Sequence, residues 1–180
     1  SRSSRVPTIE ELFSEGPHLA AYSYETGNPK LSSEHGYGAE LFAYLTTSGF
    51  YTIINLYYFQ LSSFIIPRNT GEINYQTFLP VYSSQGVDAV IKGIEVQTEF
   101  TPVAGTTISA KIGFTQGNMD SGGALPQIPP AKLYLELQKQ IWKGSTIDLG
   151  WELAAPQERV DNFETSTAGY GLLNFGFRQS

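Results

Sequence analysis

Apolar and polar residues alternate one for one through residues 132–153. On the first arm Leu133, Leu135 and Leu137 alternate with Lys132, Tyr134, Glu136, Gln138 and Gln140. On the second, Ile147, Leu149, Trp151 and Leu153 alternate with Thr146, Asp148, Gly150 and Glu152. A period of two belongs to a strand with one apolar and one polar face. The arms meet at Trp142-Lys143-Gly144, so the stretch predicts a hairpin with a very short turn. Each arm runs for about ten residues, which is the length that crosses a bilayer when tilted.

The same periodicity recurs upstream and downstream. Residues 88–100 place Val90, Ile94, Val96, Thr98 and Phe100 on one side and Gly93, Glu95, Gln97 and Glu99 on the other, with Lys92 as the one exception. After a turn at 101–105, Ile108, Ala110, Ile112 and Phe114 oppose Ser109, Lys111, Gly113 and Thr115. The last strand, 168–178, sets Leu173, Phe175 and Phe177 against Asn174, Gly176 and Arg178. Strands begin at Tyr37, and 50–66 is the stretch richest in β-formers, although its two faces do not separate. Residues 1–35 are expected to be a long structured loop, turned at Gly16-Pro17 and Gly27-Asn28-Pro29. Within it Thr8-Ile9-Glu10-Glu11 has the form of a capping box for a short helical turn ending near Phe13.

Connections sort into two kinds. Short turns (47–49, 101–105, 142–144) alternate with long polar loops (1–35, 67–86, 117–130, 156–167). Antiparallel pairing then puts every short turn at one end of the sheet and every long loop at the other, the asymmetry of an outer-membrane barrel. A soluble β-sandwich shows the same alternation along its strands, so a sandwich binding module, for carbohydrate for example, stays open beside the barrel. Loop asymmetry, strand length and aromatic content favour the barrel.

Composition narrows the function classes. Charged residues are only 16% of the chain while aromatics reach 13%, the balance of a membrane interface or a binding surface. A net charge of -6 argues against a nucleic-acid partner. The absence of cysteine excludes a disulfide framework and thiolate metal sites. No run of about 18 apolar residues predicts a transmembrane helix, and the first residues carry no apolar core of a signal peptide. Asp148 with Glu152, and Glu95 with Glu99, share faces with Thr, Gln and Gly rather than with converging acid–base partners. No phosphate-binding glycine loop, zinc-protease motif or nucleophile elbow is present, so an enzyme is not expected.

Four stretches carry a resemblance. RVPTIEELFSEGPHLAAYSYETGNPKL (5–31) resembles the region of TonB-dependent outer-membrane receptors in which an Arg-x-Pro box is followed by a Glu-Leu pair and an Asn-Pro-x-Leu box. VIKGIEVQTEF resembles that family's Gly-x-Glu strand, LPQIPPAKLYLEL its Ile-Pro-Pro strand entry, and FETSTAGYGLLNFGF a segment near the barrel's C-terminus. The resemblance implies an all-β fold: an antiparallel up-and-down transmembrane β-barrel, present as an open partial barrel of about seven strands. Such a receptor has about 22 strands around a separate plug. Residues 1–180 are therefore expected to be an interior fragment from the C-terminal half, with an extracellular loop at 1–35, strands from 37 to 178, and the plug domain and TonB box outside it.

What the family implies is active import of a ferric siderophore, haem, cobalamin or metal ion across the Gram-negative outer membrane. The implied partners are outer-membrane lipid, the metal-complex substrate, and the TonB complex acting through the plug; no intrinsic cofactor is expected. Cargo would meet the long loops. His18 lies between the Arg5-Val6-Pro7 and Asn28-Pro29-Lys30-Leu31 boxes, where haem receptors of the family carry a histidine, and its imidazole could bind haem iron or zinc. Ser4 and Val6 depart from the haem pattern, which prefers Phe and Ala there, and a lone loop histidine is the competing reading of His18. Tyr22 and Tyr24 are candidates for the recognition surface, with Tyr75, Phe78 and Tyr82. Arg5 and Arg159 are candidates for an anionic siderophore or a haem propionate. His35 reads as a strand-entry residue.

Overall fold

A computed structural model describes residues 1–179 as one ten-stranded sheet with a short helix. The strands are β1 (Arg2–Arg5), β2 (Glu15–His18), β3 (Ser23–Thr26), β4 (Glu34–Thr47), β5 (Phe50–Ile73), β6 (Pro80–Val103), β7 (Thr106–Met119), β8 (Lys132–Trp142), β9 (Ser145–Ala154) and β10 (Tyr170–Gln179). Helix α1 spans Ile9–Phe13. The main path is β1-β4-β5-β6-β7-β8-β9-β10, every neighbour antiparallel. β2 and β3 form a small hairpin whose second strand joins β6 in parallel. The seven long strands β4 to β10 meet the expected number, and the sheet is open rather than closed on itself.

Register decides between barrel and sandwich. Leu135 pairs with Ala110 on β7 and Trp151 on β9, and Trp151 with Leu173 on β10. Continuing the other way, Ala110 faces Thr98, and Thr98 faces Thr52. Cross-strand partners share a face, so one apolar face runs without interruption across all seven strands. Nothing packs on it: Leu135 is 36% exposed, Leu149 48% and Leu173 82%. A sandwich would bury these side chains against a second sheet about 10 Å away, and there is no second sheet among the described residues. The sandwich alternative is therefore overturned. From Phe50 to Tyr58 the apolar face of β5 runs about 27 Å along the strand. Tilted by about 40° it spans about 20 Å, most of an outer-membrane barrel's apolar band of about 25 Å.

Three sequence expectations need correction. Residues 67–86 are not a loop: β5 and β6 continue as a two-stranded ribbon, pairing Pro67 with Ser84 and Asn69 with Tyr82, and only 74–79 connects them. Residues 1–35 are not a loop throughout, since besides the helical turn they hold β1 and the β2–β3 hairpin. The capping box itself is present, with Glu11 N–H donating to Thr8 Oγ1 at 3.2 Å and Thr8 N–H to the Glu11 carboxylate at 2.8 Å. The last strand begins at Tyr170 rather than at residue 168.

The mixed faces of 50–66 also have a cause. Between Leu61, paired with Ala89, and Phe64, paired with Val87, Ser62 and Ser63 oppose the single residue Asp88. This β-bulge flips the parity of everything after it. Ser63 sits at φ +54, and its N–H is caught by Asp88 Oδ1 at 2.9 Å.

On the polar face two aromatic rings lie over glycines of the neighbouring strand, Tyr57 over Gly93 and Phe59 over Gly38. A Cβ at Gly93 would stand 2.3 Å from the Tyr57 hydroxyl oxygen and 2.5 Å from the Phe114 carbonyl oxygen. The hydroxyl is held in place by Thr115 Oγ1 at 2.6 Å. Gly93→Ala is expected to destabilise the folded full-length protein by about 1–3 kcal/mol through overpacking. The midpoint of denaturant unfolding in lipid vesicles measures it, and Gly113→Ala, where a Cβ meets nothing within 4 Å, serves as the comparison.

Candidate functional site

The long-loop end of the sheet is where side chains converge. Gly117 lies on the polar face, and Leu125 and Ile128 of the β7–β8 connection sit over it, so this loop folds inward across that face. Leu125 is 1% exposed and packs with Ile66, Ala89 and Met119 in a buried apolar cluster. Backbone bonds shape the fold-back: Met119 N–H to the Gly123 carbonyl at 3.1 Å and Leu125 N–H to the Gly117 carbonyl at 3.1 Å.

The β9–β10 connection joins it from the other side. Asp161, 7% exposed, receives two bonds from Arg68 of the β5–β6 ribbon, Nε at 2.7 Å and Nη2 at 2.8 Å. The tip of the Phe163 ring lies against Gly71 of the same ribbon, Gln157 Nε2 donates to the Ile128 carbonyl, and Glu164 accepts from the Gln127 N–H at 3.3 Å. Burial pushes the Asp161 carboxyl up. The Arg68 guanidinium and the Asn162 amide together outweigh that and hold it below the ordinary carboxylate range. The Arg68 guanidinium is in turn raised by its bonds to Asp161. Two loops and a ribbon thus form one cross-linked rim above the polar face.

The five sequence candidates fall into separate constellations. Arg5 is held by carboxylates on both sides, Nη1 and Nη2 on Glu11 at 2.8 and 2.9 Å, and Nε and Nη2 on Glu34, both at 2.8 Å. Four of its five N–H groups are taken, so it clamps the start of α1 to β4. The pair raises the Arg5 pKa and lowers that of Glu11, chiefly through their hydrogen bonds. Glu34 also accepts from the Ile65 N–H at 2.7 Å, which extends the clamp to β5.

His18, at the end of β2, meets Glu25 of β3 through Nδ1 at 2.7 Å and is half exposed. Such a carboxylate fixes ring orientation and leaves Nε2 open. No group of three His, Cys, Asp or Glu among the described residues is arranged to hold a metal ion. Tyr22, in the turn between β2 and β3, is 69% exposed at φ 52, and Tyr24 is half-buried where β3 meets β6. Arg159 is exposed on the β9–β10 loop, with Nη2 on Asn118 Oδ1 at 2.5 Å. It lines the clefts on both sides of that loop, beside Gln157, Val160 and Glu158. The Arg68–Asp161 pair was not singled out from sequence, since its members lie 93 residues apart.

A family model of the TonB dependent receptor-like β-barrel matches residues 1–179. The chain belongs to this family. Its sheet is accordingly part of a Gram-negative outer-membrane barrel, with the apolar face toward lipid and the polar face toward the lumen. Solved structures agree in fold. The copper transporter OprC superposes with a TM-score of 0.84 at 20% identity, over 98% of this chain and 28% of that one. The siderophore receptor PirA from Pseudomonas aeruginosa gives 0.67 at 15% identity, over 98% and 31%. The FrpB iron transporter from Neisseria meningitidis gives 0.61 at 10%, over 84% and 25%. The chain thus spans under a third of the length of these receptors.

Proposed function

We propose that the protein is a segment of a receptor that imports a metal complex, a ferric siderophore, haem or metal ion, with energy delivered by TonB through a plug domain. The observation that carries this reading is the inward fold of the β7–β8 and β9–β10 loops. It sets Arg159 and its neighbours at the mouth of a polar lumen. The printed cargoes of the structural neighbours, copper, siderophores and iron, support the class. In this reading His18, Tyr22 and Arg159 meet the cargo. His18 offers Nε2 to a metal, Tyr22 a ring at the hairpin tip, and Arg159 a cation to an anionic complex. Arg5 and Tyr24 hold the loop that presents them.

The test is uptake by the full-length receptor in a Gram-negative strain stripped of its own metal receptors. Separate supplements of a ferric catecholate siderophore, haem and a copper salt are compared with and without functional TonB. One supplement is expected to restore metal-limited growth only with TonB. Arg159→Gln is expected to cut uptake of an anionic complex about 10-fold, the loss of one charge-assisted contact, while His18→Ala acts only on haem or a bare ion. A correctly assembled receptor that restores growth on none of the three sinks the reading.

A further inference from the structure

We infer that the apolar side of α1, Ile9 and Phe13 with the preceding Val6, packs in the whole receptor against an apolar stretch of the long connection that enters the barrel strand beside β1. The inference rests on the family's closed barrel and not on which cargo is imported. At about 100° per residue, Glu10, Glu11 and Ser14 fall on one side of α1 and Ile9 and Phe13 on the other. A surface helix ordinarily turns its apolar side inward. Here the polar side is the inner one: Glu10, Glu11 and Ser14 line a cleft against Ile65, Pro67 and Ser84 of the β5–β6 ribbon. Ile9 is 75% exposed, Phe13 65% and Val6 72%. The helix is bonded in this orientation and cannot simply roll over. Glu11 holds Arg5 at 2.8 Å, and its carbonyl accepts from the Asn28 N–H at 2.8 Å. The Ser14 carbonyl accepts from the Gly27 N–H at 2.7 Å.

Strand order says what lies opposite the exposed side. Arg5 ties α1 to the β1–β4 end of the sheet, and the polar side of the helix looks toward β5 and β6. Its apolar side therefore looks away from them, across β1. That strand is paired on one edge only, with β4. In a closed barrel of this family the other edge carries an antiparallel strand. β1 runs up to the rim, since it feeds the connection 6–33. Its neighbour accordingly runs down from the rim, and the chain entering that neighbour arrives beside α1. Two other occupants fit less well. Cargo travels through the lumen, whereas the cleft under α1 is on the outer face: Ser84 continues the side of β6 that carries Ile94 and Val96. A membrane-surface helix carries Lys or Arg on its polar side, and α1 carries Glu10 and Glu11 there.

The experiment places the photo-crosslinker p-benzoylphenylalanine at Phe13, and separately at Glu10, in the full-length receptor assembled in outer membranes, and maps the products by peptide mass spectrometry. Position 13 is expected to join the long connection of the strand beside β1, within the same polypeptide. Position 10 is expected to join residues 65–84, which checks the fold and the reagent independently of the inference. A second readout is hydrogen exchange. Ile9→Ser with Phe13→Ser is expected to speed exchange of the partner connection's amides about 10-fold, at the usual worth of burying one large apolar side chain, while Glu10→Ser leaves them unchanged. A helix with only a local role would not move protection in that connection. Products of position 13 with lipid, with a second polypeptide or within residues 1–180, no product there while position 10 reacts, or unchanged exchange in the double variant each overturns the inference. All variants are compared as heat-modifiable, folded barrels, so loss of folding is read separately.

Discussion

Leu135→Arg is expected to destabilise the lipid-embedded barrel by about 2–4 kcal/mol, the range for a cation on the lipid face near the bilayer midplane. Leu135 lies in the middle of β8, flanked on the same face by Ala110 and Trp151, and no other element covers it. Only hydrocarbon can solvate an added guanidinium there, so the charge must drag water or headgroups inward. Glu136→Arg, one residue on, is expected to change stability by under about 1 kcal/mol, because that side chain faces the lumen beside Gly150 and Ser109. Reversible urea unfolding of the full-length receptor in phosphocholine vesicles measures both. Equal penalties at the two positions would mean that the apolar face does not meet lipid. Leu149→Arg on β9, which pairs with Leu137 and Phe175, should repeat the Leu135 result.

The contrast between positions 135 and 136 was legible in the residues because the β8–β9 hairpin is regular. A strict period of two needs no knowledge of neighbours, and the observed pairing of Leu133 with Leu153 and Leu137 with Leu149 follows from it. Where regularity breaks, periodicity stops carrying information. A one-residue bulge at Ser62-Ser63 merged the two faces of β5 into an unreadable run. The ribbon beyond it was hidden by Pro67, Arg68, Asn69, Gly71 and Pro80, residues that ordinarily signal loops. Two of these fit a strand for specific reasons: Pro80 opens β6, where a missing N–H costs little, and Gly71 takes φ +80 at the irregularity between Asn69 and Ile73. The same limit applied to the rim. A capping box spans four residues and can be seen in Thr8 to Glu11, whereas the partners of Arg5 lie 6 and 29 residues away and the partner of Arg68 lies 93 away. Only tertiary structure tells an arginine that is free to bind cargo from one already spent on carboxylates.

Arg68→Ala is expected to release the β9–β10 loop from the rim, at a cost of about 2–3 kcal/mol in local opening free energy. That is less than the 3–5 kcal/mol for a fully buried pair, because the Arg68 side chain keeps 24% of its exposure. The asymmetry of the pair sets the size: the Asp161 side chain is only 5% exposed and would be left as a buried, unpaired carboxylate. Hydrogen exchange of amides 156–167 in the full-length receptor reads the opening directly. Arg68→Lys should recover only part of the protection, since an ammonium cannot reproduce the two parallel bonds to the carboxylate oxygens. Replacing both members, Arg68→Met with Asp161→Leu, should cost less than Arg68→Ala alone. The pH dependence follows from the direction of the Asp161 shift. Its folded pKa lies below the ordinary value of 3.8, so the pair's contribution is fully present above that value and is lost only as pH falls through the depressed one. Once corrected for intrinsic exchange, protection of the loop should therefore be the same at pH 7.5 and pH 5, and should fail only below about pH 4. Loosening between pH 7 and 5 would instead assign the latch to a group titrating in that range, such as a histidine, and would remove Asp161 from its centre.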